Sequence, residues 1–224
     1  MQQQVKIKLC GLTQFDQVHL ACQLSVDAIG FVFVPQSPRY IDPAQVKSIL
    51  EQLKINSIES DQAQFKKIPQ FIGLFVNQDK DYIWQVLNQI PLDILQFHGN
   101  ESDLSCRQFQ KNYWKSVGVQ SQQDIIQAEA NFPGAQALVL DRFDAKSFGG
   151  TGQAFSWQHV PALDQRQKNY VIAGGLTPEN VSGMIKEIRP AWVDVSSGIE
   201  QSKGVKCPDK MRAFVRAVQN HVFL

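Results

Sequence analysis

Residues 170–176 read YVIAGGL, an apolar run that ends in two glycines. Residues 191–198 read AWVDVSSG, again an apolar run followed by small residues and a glycine. Short apolar runs bounded by turn residues are typical of buried parallel strands. Glycine-rich turns after two successive late strands favour a (β/α)8 barrel, which binds phosphate in the loops after its seventh and eighth strands.

The rest of the chain alternates in the same way. Eight strands are predicted, at Val5–Leu9, Asp27–Val34, Phe71–Val76, Leu92–Phe97, Tyr113–Val119, Ala137–Asp141, Tyr170–Ala173 and Ala191–Ser196. Helical patterns lie between them, at Gln14–Leu24, Pro43–Leu53, Lys80–Asn88, Ser102–Gln110, Ser121–Ala130, Pro178–Ile188 and Pro208–Asn220, with a short helical turn at Phe155–His159. Pro43, Pro178 and Pro208 each stand where a first helical turn would begin.

The alternation predicts an α/β fold, a single-domain TIM barrel over residues 1–224. A doubly wound open sheet is the competing architecture, but it usually carries its glycine-rich turn after the first strand. Here such turns follow the predicted sixth, seventh and eighth strands. The polar stretch Lys54–Gln70 is interpreted as an insertion before the third strand.

Composition narrows the function. Among 224 residues, 43% are hydrophobic and the net charge is +1, which gives no global attraction for nucleic acid or an anionic membrane. The N-terminus lacks a signal-peptide pattern, and no apolar run is long enough for a membrane span. The four cysteines show no CxxC spacing, so a zinc site or disulfide framework is not expected. Free thiols fit a reducing compartment, so a cytoplasmic protein is predicted.

Polar, reactive or glycine-rich residues follow six of the eight predicted strands. Chemistry in a barrel belongs at these C-terminal strand ends, so the clustering favours an enzyme. The endings are Cys10-Gly11, Ser37-Pro38-Arg39, Gln96-Phe97-His98-Gly99, Asp141, Ala173-Gly174-Gly175-Leu176 and Asp194-Val195-Ser196-Ser197-Gly198.

Strand parity adds a specific pair. Lys8 and Cys10 share a face of the first strand, and a buried lysine needs a partner. The eighth strand closes against the first, which makes Asp194 the predicted partner of Lys8. A cation at this position would lower the pKa of the Cys10 thiol. The alternatives remain open: Cys10 as a small buried hydrophobic residue, and Asp141 as a helix cap or surface carboxylate.

The glycine-rich turns have two interpretations. Gly174-Gly175 and Ser196-Ser197-Gly198 are either tight turns or a phosphate cradle of backbone N–H groups. The loop Gly149-Gly150-Thr151-Gly152 is a flexible linker or a lid over the substrate. Arg39 is a solvated charge or a carboxylate-binding group. His98 is expected to support the rim of the site.

In order along nearly the whole chain, these motifs resemble the phosphoribosylanthranilate isomerase family. The matching stretches are Lys8–Thr13, Gly30–Phe33 with Ser37–Arg39, Gly73–Asn77, Gln96–Gly99, Leu140-Asp141, Gly149–Gly152, Ala173–Leu176, Asp194–Glu200 and Gly204–Lys206. The resemblance implies a cofactor-free barrel that carries out an Amadori rearrangement of a small phosphorylated substrate in tryptophan biosynthesis. A monomer is the expected state.

The resemblance also assigns roles. It implies that Cys10 is the general base, that Asp141 is the general acid, and that Arg39 meets the anthranilate carboxylate. Other expected substrate-binding residues are His98, Gly150, Gly152, Gly174, Gly175, Asp194, Ser196, Ser197 and Gly198, supported by Lys8 and Gln96. Two positions depart from the family pattern, Gln153 where a lysine is expected and Cys207 where an aspartate is expected.

Two other functions are kept as alternatives. The related isomerase of histidine biosynthesis shares the barrel and phosphate turns, but its acid–base pair is two aspartates, against which Cys10 argues. A non-catalytic phosphate-binding barrel would bind ligand without turnover. The presence of both Cys10 and Asp141 weighs against it.

Overall fold

The computed structural model describes residues 4–59, 65, 67–142, 157–162 and 165–220, and of residues 55–59 and 142 only the backbone. Eight parallel strands close into a barrel in chain order, with β1 hydrogen-bonded to both β2 and β8. The predicted TIM barrel is therefore confirmed. That residues 1–224 form a single domain stays a prediction.

The barrel strands are β1 Lys6–Cys10, β2 Ala28–Val32, β3 Gln70–Phe75, β4 Ile94–Phe97, β5 Asn112–Val119, β6 Ala137–Arg142, β7 Asn169–Ile172 and β8 Trp192–Val195. The helices are α1 Phe15–Gln23, α2 Pro43–Glu59, α3 Lys80–Gln89, α4 Asp103–Arg107, α5 Gln122–Asn131, α6 Val181–Ile188 and α7 Pro208–Gln219. A two-stranded antiparallel hairpin follows β8, formed by β9 Glu200–Ser202 and β10 Val205–Lys206.

Of the three helix starts that were predicted at a proline, two are correct and one is wrong. Pro43 and Pro208 begin α2 and α7, but α6 begins at Val181, three residues after Pro178. Residues 177–180 form a turn instead, in which Asn180 Oδ1 accepts from the Thr177 N–H and Asn180 Nδ2 donates to the Gly175 carbonyl. The Asn180 side chain thereby ties the turn to the glycine-rich loop that follows β7.

Two other boundaries differ from the prediction. The stretch after Leu53 was interpreted as an insertion, yet α2 continues to Glu59. The fourth helix is shorter than expected, because Ser102 caps it by accepting from the Ser105 N–H and the chain turns to a positive φ of 53° at Gln110. Among the described residues, no helix is long and apolar enough to cross a membrane.

The barrel interior changes from apolar to polar along its axis. A buried cluster that includes Trp114 and Trp192 fills one end, with the two rings in an edge-on contact 5.0 Å apart. Side chains two residues further along a strand share the inward face. The next inward position of β8 is Asp194, and that of β4 after Ile94 is Gln96. The polar side chains of Asp194 and Gln96 therefore lie above the apolar cluster, nearer the C-terminal ends of the strands.

Candidate active site

A cavity of about 270 Å³ opens at the C-terminal ends of the barrel strands. It brings together residues from strands and loops far apart in the chain, as the sequence predicted. Its lining is Cys10, Val32, Val34, Gln36, Ser37, Pro38, Arg39, Leu74, Val76, Gln96, His98, Asp141, Ala173, Gly174, Gly175, Leu176, Asp194, Val195, Ser196, Ser197 and Lys203.

Cys10 ends β1 at the floor of this cavity and is 5% exposed. Gly30 is its register neighbour on β2. A Cβ at Gly30 would lie 2.7 Å from the Cys10 Sγ, well inside van der Waals contact. The glycine therefore makes the space that the thiol occupies.

Lys8 and Asp194 form the predicted ion pair. Lys8 Nζ donates to Asp194 Oδ2 at 2.6 Å, and the lysine is fully buried. Burial alone would lower the pKa of Lys8, but the nearby Asp194 carboxylate and Cys10 thiol hold it above its usual value. Lys8 is thus a fixed cation beneath Cys10.

The pKa of Cys10 is shifted upward, whereas the sequence predicted a downward shift. Burial raises the pKa of the thiol, and the Asp194 carboxylate adds to the rise. Lys8 and Lys206 lower it, but they do not outweigh burial. In the ligand-free site the thiol is therefore favoured over the thiolate.

Asp141 lies across the cavity, with His98 beside it. His98 Nε2 is 3.6 Å from Asp141 Oδ2, close enough for an electrostatic contact but long for a direct hydrogen bond. Both side chains are mostly buried and line the cavity. His98, which was expected to support the rim of the site, therefore lies in contact with the Asp141 carboxyl group.

Two buried acceptor atoms in the cavity have no hydrogen-bond donor among the described residues. Gln96 Oε1 and Asp194 Oδ1 have no hydrogen-bond partner within the described part of the chain. A buried polar atom without a partner is costly, so such atoms are commonly satisfied by water or ligand. Both residues line the cavity, which makes these atoms available to a ligand that carries hydroxyl groups.

The two predicted phosphate turns meet at one side of the cavity. Gly174 and Gly175 adopt positive φ angles of 68° and 69°, which few residues other than glycine tolerate. A Cβ at Gly198 would lie 1.8 Å from the Leu176 carbonyl oxygen, so Gly198 lets the second turn pack on the first. Unlike Ser196 and Ser197, Gly198 itself does not line the cavity.

A buried charge network stands behind Arg39. Arg39 Nε and Nη2 donate to the two carboxylate oxygens of Glu200, at 2.7 and 3.0 Å. Lys206 Nζ donates to Glu200 Oε1 at 2.9 Å and to the Ser196 carbonyl at 2.9 Å. The network joins the loop after β2 to the β9–β10 hairpin and holds the Ser196 turn.

The sequence reasoning assigned no role to Glu200, Lys206, Gly30 or Lys203. Glu200 and Lys206 appeared only as parts of family motifs. The sequence did contain a pattern that could have indicated Glu200 and Lys206. They flank the dipeptide Lys203-Gly204, typical of a turn, shortly after the predicted eighth strand. Three residues of interest, Gly150, Gly152 and Gln153, lie outside the described residues, as does the rest of the predicted lid.

No cluster of three or more His, Cys, Asp or Glu side chains suited to a metal ion occurs in the described ranges. The cations of the site are instead lysine and arginine side chains. Lys8 lies below Cys10, and the Arg39 and Lys206 groups lie behind the loops.

Comparison with known proteins adds to this geometry. Residues 7–217 match the family model described as N-(5'-phosphoribosyl)anthranilate (PRA) isomerase. A curated protein named N-(5'-phosphoribosyl)anthranilate isomerase from Hahella chejuensis is 40% identical over 217 residues, covering 96% of this chain and 94% of that protein.

Solved structures agree. Monomers of a dimeric phosphoribosylanthranilate isomerase from Thermotoga maritima are 31% identical, with a TM-score of 0.77 and coverage of 96% of this chain and 98% of that one. A second structure, 31% identical with the same coverage and a TM-score of 0.76, is a phosphoribosyl anthranilate isomerase in complex with reduced 1-(o-carboxyphenylamino)-1-deoxyribulose 5-phosphate. The chain therefore belongs to the N-(5'-phosphoribosyl)anthranilate isomerase family.

Proposed function

We propose that this protein isomerises N-(5'-phosphoribosyl)anthranilate to 1-(2-carboxyphenylamino)-1-deoxyribulose 5-phosphate in tryptophan biosynthesis, with Cys10 as general base and Asp141 as general acid. One observation carries the assignment of roles: a thiol and a carboxyl group line the same cavity, which two glycine-rich turns close on one side. Family membership supports the reaction itself.

The chemistry needs two groups in opposite protonation states. Asp141 donates a proton to the ribose ring oxygen, the C1–O bond breaks, and the ring opens to a protonated Schiff base. Cys10, as thiolate, removes the proton from C2 and leaves an enolamine, which tautomerises to the C2 ketone. Substrate and product are isomers, so no oxidant or cofactor is required. Each proton transfer is expected to contribute roughly 10²–10⁴ in rate.

The substrate helps to set these protonation states. Its phosphate and carboxylate bring negative charge into the cavity, which disfavours a further negative charge nearby. The same charge would disfavour the thiolate, so the Lys8 ammonium directly below Cys10 is needed to offset it. Lys8 is thus a positioning and charge-balancing residue that does not touch the substrate.

The remaining cavity groups bind the substrate. Backbone N–H groups at Gly174–Gly175 and Ser196–Ser197 take the phosphate, which positions the reacting carbons from a distance. The orphan acceptors of Gln96 and Asp194 accept from sugar hydroxyl groups. His98 orients Asp141, Arg39 faces the anthranilate carboxylate, and Gly198 holds the phosphate turns together. Gly150 and Gly152 would cover the phosphate from the loop after β6.

The wider context is also part of the proposal. The chain acts as a monomeric, single-domain enzyme of the cytoplasm without metal or organic cofactor, on a small phosphorylated substrate and not on nucleic acid or membrane. Since the Thermotoga maritima relative is described as dimeric, sedimentation of the purified chain is the direct test of the monomer. A mass near twice 25.3 kDa would overturn that part.

The test of function is an assay of purified protein with phosphoribosylanthranilate. Cys10→Ser and Asp141→Asn are each expected to lower kcat by at least about a hundredfold while phosphate binding persists. Cys207→Ser and Asp209→Asn are the matched controls, since neither residue lines the cavity. Turnover of the histidine-pathway substrate alone, or ligand binding without turnover, would overturn the proposal in favour of the corresponding alternative.

A further inference from the structure

The loop side of the cavity carries a lysine with no assigned role. Lys203 lies at the tip of the β9–β10 hairpin, is exposed, and lines the cavity mouth. It forms no ion pair or side-chain hydrogen bond with any other described residue. An ammonium group that has no partner in the described part of the chain, and that lies at the mouth of a cavity for an anionic ligand, is available to that ligand.

The position of the hairpin is fixed. Gly204, next to Lys203, has a φ of 84°, and a Cβ there would lie 2.5 Å from the Pro38 carbonyl oxygen. The Gly204 N–H also donates to Glu200 Oε2 at 3.1 Å. The hairpin tip is therefore packed on the loop that carries Ser37, Pro38 and Arg39, and Lys203 is presented to the edge of the cavity that this loop forms.

This edge is next to the apolar wall. Val32, Val34, Leu74 and Val76 line the cavity from β2 and β3 and the residues that follow them. An aromatic ring is the part of the substrate that suits such a wall, because burying it removes apolar surface from water. A carboxylate on that ring would then face the loop after β2.

Arg39 alone does not complete a site for that carboxylate. Two of its nitrogens, Nε and Nη2, are committed to Glu200, and the Glu200 charge offsets that of the guanidinium. Arg39 keeps both N–H groups of Nη1 and the second N–H of Nη2 for a ligand, but a guanidinium whose charge is partly balanced holds a carboxylate more strongly with the help of a second cation. Lys203 also lines the cavity, and it has no carboxylate partner among the described residues.

We propose that Lys203 binds the anthranilate carboxylate of the substrate, together with the free edge of Arg39, and so favours carboxylated over uncarboxylated N-aryl aminosugar phosphates. This assignment rests on the proposed function. The β9–β10 hairpin then contributes to substrate specificity. Glu200 and Gly204 fix its position, and Lys203 at its tip contacts the substrate.

The test compares two ligands that differ only in the carboxyl group. These are reduced 1-(o-carboxyphenylamino)-1-deoxyribulose 5-phosphate and its phenylamino counterpart, with Kd measured by calorimetry. Lys203→Gln is expected to weaken the carboxylated ligand by roughly two- to fivefold, the range of an exposed ion pair, and to leave the other unchanged. Lys203→Arg should restore the wild-type preference, and Lys47→Gln on the exposed face of α2 is the charge-matched control.

Turnover gives a second readout. In Lys203→Gln the KM for phosphoribosylanthranilate should rise by the same factor with kcat within about twofold, and the difference should shrink at high salt. Equal weakening of both ligands would mean that Lys203 binds phosphate or sugar and would overturn the proposal, as would no change in either. If the wild-type chain binds neither ligand and turns nothing over, the proposed function fails first, and the assignment of Lys203 falls with it.

Discussion

Lys8 and Asp194 form a buried ion pair across the closing seam of the barrel, with 2.6 Å between Lys8 Nζ and Asp194 Oδ2. Their Cα positions are register neighbours on β1 and β8, so the pair exists only when the barrel is closed. The pair leaves Asp194 Oδ1 open to the cavity and keeps the Lys8 charge beneath Cys10. Closure of the fold and assembly of the site are thus coupled through one contact.

Breaking this pair should be costly. Lys8→Met leaves the Asp194 carboxylate buried without its partner, so a loss of about 3–5 kcal/mol in the free energy of unfolding is expected. Lys67→Met is the control, because the Lys67–Asp27 contact is similarly short at 2.7 Å but its lysine is exposed, and a loss of less than about 1 kcal/mol is expected there. Urea unfolding measures both.

The double variant Lys8→Met with Asp194→Leu separates two quantities. These are the net contribution of the ion pair to stability and the cost of leaving the Asp194 carboxylate buried without a partner. Since it removes both charges, it should recover part of the stability that Lys8→Met loses. A double variant no more stable than Lys8→Met would contradict this account.

The thiol of Cys10 is expected to ionise late in the ligand-free protein. Burial and the Asp194 carboxylate raise its pKa against the pull of Lys8 and Lys206. The rate of its alkylation by iodoacetamide should therefore have its midpoint above the ordinary thiol pKa of about 8.5, because only the thiolate reacts.

The measurement uses a Cys207→Ser background, since Cys207 is the one cysteine that is not buried. Cys22 and Cys106 are buried, with pKa values raised to about 11 and about 12, so they should contribute little. Cys10→Ser in the same background measures the remaining reaction. A Cys10 midpoint near pH 7 would show that the cations outweigh burial.

Features that depend on residues close together in the chain were predicted well from the sequence, and features that depend on distant residues were predicted less well. The strand ends were placed to within one residue, apart from the end of β2 and the start of β4, which differ by two, because short apolar runs and turn residues are local signals. Parity predicted the Lys8–Asp194 pair because strand closure in a barrel fixes which strands are neighbours.

The rest depends on balances and contacts that a local pattern does not contain. The sign of the Cys10 pKa shift follows from the competition between burial and three charges. The Arg39–Glu200 pair joins residues 161 positions apart, and Glu200 lies in a hairpin that the sequence pattern did not predict. Pro178 was misassigned because Asn180 stabilises a turn in place of the first helical turn.

Acid should release the Glu200 network. Burial raises the pKa of Glu200, but hydrogen bonds from Arg39 and Lys206 outweigh it and hold the pKa at about 2. The unfolded chain titrates this group near 4.3, so the folded state gains stability that is complete above that pH and is lost as the pH falls toward 2. The wild-type free energy of unfolding should fall over this window by on the order of 2 kcal/mol from this group.

Glu200→Gln is the comparison. It starts lower at neutral pH, because Arg39 and Lys206 lose their counterion, and its free energy should converge on that of the wild type as the pH falls from 5 to 2. Glu51→Gln on the exposed surface of α2 should stay within about 0.5 kcal/mol of wild type. Parallel curves for wild type and Glu200→Gln would refute the role of the network.

Gly30 sets the position of the Cys10 thiol, and a single methyl group tests this. In Gly30→Ala the new Cβ would lie 2.7 Å from Cys10 Sγ and 3.1 Å from Lys8 Cε, so one of these atoms must move. Overpacking should lower the free energy of unfolding by about 1–3 kcal/mol, and a shift of the base of about 1 Å should lower kcat/KM by roughly a hundredfold.

Gly183→Ala is the matched control, because on α6 nothing lies within 4 Å of its Cβ. It should leave turnover unchanged and stabilise the helix by up to about 1 kcal/mol. If Gly30→Ala folds and turns over at the wild-type rate, then the reaction does not depend on where the Cys10 sulfur lies, and Cys10 is not the base.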